Sequence, residues 1–250
     1  MASLSGPRLK IARAQEHLRA LEREIQAFGR SKPYAGVSDF DSQTGDKFWR
    51  VQGDPTPPPD ILSPIIGDAL YNFRSALDHL VWQLIEANGE TPSEQSAFPI
   101  SKTAESFKRY GRPKIKGMTP TAQTAIERHQ PYHGVNPYRE ERLLWLDRLC
   151  NIDKHRHLNL TTAATEGGLW SRGLPIATPS PYFIHQGAVQ NGTELARVPG
   201  EHTDVEFYPA IGVAFGQGSP AAGVSVREVL ASIGVIVDGI VNSFSKFFPE

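Results

Sequence analysis

The sequence predicts an α+β protein, a helical bundle of about four long helices with an antiparallel β-sheet of about five or six strands. Two observations predict it. Segments 7–30, 67–87, 137–155 and 225–248 repeat apolar residues in steps of three and four over helix-length windows. Segments 34–53 and 158–215 hold short β-rich runs broken by Gly, Asn, Asp and Pro. The connector Asp54–Asp60, DPTPPPD, is stiff and extended, and too short to separate independent domains. The expectation is therefore one domain over residues 1–250.

The elements follow in order. In the first helix, Ile11, Ala14, Leu18, Leu21, Ile25 and Phe28 form a stripe that must be buried. Tyr34–Gly53 reads as a hairpin turning at Ser42–Asp46, with Gly45 free to take a positive φ. The helix expected over 67–87 buries Ala69, Phe73, Ala76, Leu77, Leu80, Val81 and Leu84. Pro64 stands just before it and Gly89 just after. Residues 89–120 read as irregular, and Thr119-Pro120 then starts a short helix. Asn136-Pro137 opens the next long helix, with Leu143, Leu146, Leu149, Cys150 and Ile152 on its core face. Strands are expected at 158–163, 182–186, 194–198 and 205–215. The last helix presents Val229, Ile233, Val237, Ile240, Val241, Phe244 and Phe248.

Composition excludes several function classes. The 250 residues carry a net charge of −1, so no global field draws in nucleic acid or an anionic membrane. The single cysteine, Cys150, excludes an intramolecular disulfide and a cysteine zinc cluster. The most apolar window, 229–241, is shorter than a bilayer span and contains Asp238. No GxSxG, GxxxxGK[ST] or GxGxxG motif is present, so no nucleotide cofactor is expected, nor any other. These readings describe a soluble cytoplasmic protein with no membrane association.

Candidate chemistry gathers on the two central helices. Asn72, Arg74, Ser75, Asp78 and His79 run along the first, an unusual polar load for a helix with so broad an apolar face. Arg74 and His79 are five residues apart, about 140° around the helix. They can still converge on a groove near a two-fold axis, where a second copy supplies the same pair. Such a set cleaves RNA without metal. The imidazole moves a proton, the guanidinium stabilises the charge building at phosphorus, and the 2′-hydroxyl attacks. The second helix ends in Asp147, Asn151, Asp153, Lys154, His155 and Arg156. Facing the first, these residues supply further cations or a buried network such as Asp78 with Lys154 or Arg156. A metal held by His79, His155 and Asp153 lacks any ligand motif, and no metal is expected. Cys150 sits mid-helix as a small buried residue, not a nucleophile. Between residues 102 and 116, Lys108, Arg109, Arg112, Lys114 and Lys116 form the one marked basic run, a candidate RNA-contacting patch.

The Arg74-x4-His79 spacing resembles the motif of the HEPN superfamily, helical-bundle proteins that include metal-independent ribonucleases of toxin–antitoxin and phage-defence systems. Ser75 stands where family members often carry Asn. The resemblance implies an RNA-binding homodimer, with Arg74 and His79 catalytic and Asn72, Asp78, Asn151, Asp153, Lys154, His155 and Arg156 in support. Over a longer span, IIGDALYNFRSALDHLVWQL with FPI and NIDKHRHL resembles uncharacterised bacterial and phage proteins. The rival reading is a non-enzymatic interaction protein. In it, Arg74 pairs with Asp78 one turn on, and His79 hydrogen-bonds within the core.

Overall fold

The computed structural model describes residues 2–164, 168–171, 174–175, 183–200 and 204–248. The class is α+β. The helices are α1 Ser5–Arg30, α2 Leu62–Ala87, α3 Ala104–Ser106, α4 Pro120–Arg128, α5 Pro137–Asp153 and α6 Val226–Ser243. The strands are β1 Ala35–Phe40, β2 Lys47–Gln52, β3 Leu160–Ala164, β4 Gly168–Ser171, β5 Leu174–Pro175, β6 Phe183–Ile184, β7 Gly187–Ala188, β8 Glu194–Val198, β9 Val205–Tyr208 and β10 Ile211–Phe215. The chain divides into two compact units. A helical unit takes Met1–Ala20, Pro64–Leu158 and Val229–Glu250, and a β unit takes Leu21–Ser63 and Asn159–Glu228.

The helical unit is built around α2. This helix starts at Leu62, earlier than expected, because Pro64 falls in the first turn where no backbone N–H is needed. Its apolar positions from Ala69 to Leu84 are buried as the periodicity predicts. Gly234 of α6 lets that helix come close: a Cβ there would lie 2.9 Å from Cζ of Phe73. Val229, Ile233, Val237, Ile240, Val241 and Phe244 of α6 are buried. The helix stops at Ser243, and a 3-10 turn over Ser245–Phe247 replaces its expected end. By length and composition Val226–Phe247 is apolar enough to cross a membrane, which the 229–241 window did not suggest. On α5, Asn136 accepts from the Arg139 N–H, and Glu140 reaches back to the Asn136 N–H at 3.1 Å. The helix buries Leu143, Leu146, Leu149 and Cys150 and ends at Asp153 rather than 155. Lys154, His155, Arg156 and His157 are all exposed, so no buried face sustains another turn.

Residues 102–116 are not the irregular loop that the sequence predicts. They form α3, a π-helical turn over Phe107–Gly111 and a 3-10 turn over Arg112–Ile115. Phe107 and Ile115 are buried and anchor these turns, an apolar signal masked by the density of charge around them. Thr103 and Thr119 cap α3 and α4 through their hydroxyls.

The β unit corrects the expectation of one sheet. Its described strands form three antiparallel sheets, ordered β1-β2-β8-β6, β10-β3-β7 and β5-β4-β9. The expected strand over 205–215 is two strands in different sheets, because Pro209 cannot donate to a ladder. Of the strand expected at 182–186, Tyr182 lies outside the described residues, and pairing is confined to Phe183–Ile184. The hairpin β1–β2 forms as read, with Gly45 at φ 76°. Arg197 on β8 ties its turn down through Asp41 at 3.0 Å and Asp46 at 3.5 Å. Trp49, Val51, Leu195, Val198 and Phe207 are among the residues of this unit's core.

One half-buried network in the helical unit sets a pH dependence. His129 Nε2 donates to Ser243 Oγ at 3.0 Å, because that hydroxyl's own proton goes to the Ile240 carbonyl. Its Nδ1 accepts from Arg139. Burial, reinforced by the Arg139 charge, pushes His129 down to about 4. The unfolded chain therefore binds a proton that the fold excludes. Stability is full above about pH 6.5 and falls as pH drops towards 4, a loss on the order of 3 kcal/mol. Urea titrations from pH 7.5 to 4.5 should show that decline, and His129→Gln should flatten it.

Candidate functional site

The geometry at α2 starts from two side chains one turn apart. Arg74 Nη2 donates to the Phe98 carbonyl at 2.6 Å, and Asp78 Oδ1 accepts from the Phe98 N–H at 2.8 Å. The two side chains pair with each other at 3.2 Å. Together they satisfy both backbone polar groups of a residue whose side chain is fully buried. Next to it, the Ala97 N–H donates to the Lys114 carbonyl at 3.3 Å. A second clamp follows at Ser101, whose N–H donates to the buried Gln130 Oε1 at 3.0 Å. Residues 97–101 are thus fixed against the helices by buried polar bonds, and Lys114 is brought in with them.

The result is a cavity of about 510 Å³ between α2, α5 and this segment, inside the helical unit. Arg74, Lys114 and Lys154 contribute positive charge to its wall, and Asp78, Asp147 and Asp153 negative charge. Tyr71, Ser75 and Asn151 add neutral polar groups. Asp147, Asn151 and Lys154 come from one face of α5, spaced four and three apart. Lys114, Lys154, Asp147 and Asp153 form no ion pair or side-chain hydrogen bond among the described residues. Arg74 Nη1 is buried and has no hydrogen-bond partner. The Asp153 carboxyl lies directly over Gly67, where any Cβ would collide with it. Burial, and then the charge of Asp68, holds that carboxyl above the usual range.

The predicted site residues are thus divided. Arg74, Asp78, Asn151, Asp153, Lys154 and Lys114 meet in the cavity. His79 does not. It is exposed on another face of α2, with Nδ1 about van der Waals distance from where a Cβ on Gly6 would be. Burial and then the Lys10 charge lower its pKa, against the pull of Asp78. The core hydrogen bond considered for His79 does not form, whereas the Arg74–Asp78 pair does. Asn72 is buried and donates back to the Asp68 carbonyl at 2.8 Å, away from the cavity. His155 and Arg156 are exposed beyond the end of α5 and do not line it. The expected bridge from Asp78 to Lys154 or Arg156 is replaced by the Arg74 and Phe98 contacts. Lys108, Arg109 and Lys116 are exposed, and Arg112 pairs with Glu127 at 3.6 Å. No group of three or more His, Cys, Asp or Glu among the described residues is arranged to hold a metal ion.

Sequence reasoning missed Tyr71, whose ring is 59 % exposed, and Gly67. An exposed Tyr on a helix with a broad buried stripe was the signal for the first, while nothing local marks Gly67 as a close-approach point. The β unit has a second concavity of about 630 Å³, walled largely by Gly and Ala. Its guanidinium, Arg227, is already held by Glu22 at 2.7 and 2.9 Å. No family model, curated protein or solved structure matches the chain.

Cys150 lines the cavity, but burial pushes its thiol up to about 12, with the nearby Arg74 opposing. In the folded protein it should react with a disulfide reagent at pH 8 about a hundredfold or more slower than in urea. Equal rates in the two states would contradict this placement.

Proposed function

We propose that the protein is a cytoplasmic, HEPN-like RNA-binding homodimer built on a bundle of its long helices, and that the Arg74 cavity contacts an RNA phosphate. One observation carries this reading: three cations from three separate segments, Arg74, Lys114 and Lys154, line one cavity. Phosphate oxygens suit such groups, because guanidinium and ammonium donors make strong charge-assisted bonds to them. The exposed Lys108, Arg109 and Lys116 add positive charge on the same segment as Lys114.

Cleavage requires more than one chain, because His79 lies outside the cavity. In a two-fold dimer, His79 of one copy serves Arg74 of the other. The 2′-hydroxyl gives its proton to the His79 imidazole and attacks the adjacent phosphorus, the bond to the 5′-oxygen breaks, and the departing oxygen takes a proton from solvent. The products are a 2′,3′-cyclic phosphate and a 5′-hydroxyl. A His79 pKa held down by burial leaves the imidazole neutral near pH 7, ready to take that proton. The second reading, a non-enzymatic interaction protein, is favoured by the Arg74–Asp78 clasp on Phe98, which gives the Arg a structural task.

RNA binding at low salt separates the two. The RNA reading expects affinity that falls steeply with added salt. It also expects EDTA-resistant cleavage that His79→Ala and Arg74→Ala each reduce about 10²–10⁴-fold without unfolding the protein. A wild-type protein that binds no RNA, with mutants that melt early, establishes the structural reading instead.

A further inference from the structure

The cavity is not a simple anion hole. Its uncommitted charges are of both signs: Lys114 and Lys154 on one side of the balance, Asp147 and Asp153 on the other. A bare phosphate would face the carboxylates at a cost, so the occupant must bring its own hydrogen-bond donors as well as negative charge. Resting on the RNA reading above, we propose that this cavity holds one guanine nucleotide of an RNA strand and reads its base.

The order of side chains on α5 fits that occupant. A carboxylate accepts two parallel N–H groups, and the guanine Watson–Crick edge offers N1–H and N2–H side by side. Asp147 supplies the carboxylate. Asn151, one turn on and on the same face, supplies an amide N–H for guanine O6. Lys154 lies a further turn along, about 10 Å of helix axis from Asp147, where the phosphate of the same nucleotide is met together with Lys114. Tyr71, a largely exposed residue, lines the cavity; the Lys10 ammonium lies over one side of its ring at 5.8 Å, and the base stacks on the other. Adenine presents one donor where guanine presents two, and its N1 acceptor meets the carboxylate unfavourably. Inosine keeps N1–H and O6 but lacks the exocyclic amine.

The test uses the full chain and labelled single-stranded RNA octamers of uridine with one central guanosine, inosine or adenosine, followed by fluorescence anisotropy at low salt. Guanosine should bind about tenfold or more tighter than adenosine, with inosine between them. Asp147→Asn should erase that order. Asn151→Asp, at an exposed position, should weaken the guanosine and inosine octamers more than the adenosine octamer by setting a carboxylate against O6, and it carries the test if Asp147→Asn fails to fold. Octamers that all bind alike overturn the base-reading proposal and leave RNA binding intact. Guanosine preference that survives both variants overturns this placement of the base. No binding of any octamer overturns the RNA reading and this proposal together.

Discussion

The cavity depends on the hold that Arg74 and Asp78 take on the backbone of Phe98. A buried residue outside regular structure needs partners for its N–H and C=O, and here one helix turn provides both. Asp78 accepts, Arg74 donates, and their mutual ion pair fixes the spacing. The Phe98 side chain can then enter the core without stranding its main chain. Because the Ala97 N–H donates to the Lys114 carbonyl, the same hold positions the 3-10 turn that carries Lys114. The Gln130 clamp on Ser101 closes the segment from its other end.

This arrangement gives the two ends of one guanidinium different tasks. Arg74 Nη2 is structural, and Nη1 is buried and unpaired among the described residues. Asp78 neutralises much of the Arg74 charge, so the net field in the cavity is set by Lys114 and Lys154 against Asp147 and Asp153. Cys150 contributes shape and not nucleophilicity, since burial keeps its thiol protonated. His79 stands apart, and any chemistry that couples it to Arg74 has to come from a second copy of the chain.

Much of the helical architecture was legible because a broad buried stripe leaves a period in the sequence. Every apolar position predicted for α2 is buried, and Asn136 and Thr119 cap the helices that they were expected to open. Of the polar residues singled out, Arg74, Ser75, Asp78, Asp147, Asn151, Asp153 and Lys154 line one cavity, and Asn72, His79, His155 and Arg156 do not. What the sequence could not convey was direction. Arg74 and His79 were considered as a pair from their spacing, yet facing depends on what packs on each side, and Gly6 and Phe98 belong to distant segments. The three short helical turns between Thr103 and Lys116 were hidden because two buried residues, Phe107 and Ile115, sit among many exposed charges. In the β unit only 194–198 keeps its expected bounds, and sheet membership is decided by long-range pairing that leaves no local trace. Pro209 was the one visible warning that 205–215 would not be continuous.

Arg74 and Asp78 act together on Phe98, and a double-mutant cycle with Arg74→Met and Asp78→Leu measures it. Urea unfolding gives the stabilities, and amide hydrogen exchange at Phe98 reports the local bond. Each single change leaves a buried polar group unsatisfied, a loss of about 1–3 kcal/mol. The account predicts a coupling energy of about 1 kcal/mol or more and fast exchange at Phe98 in the Asp78 variant. Additive losses, with Phe98 protected as in the wild type, would contradict it.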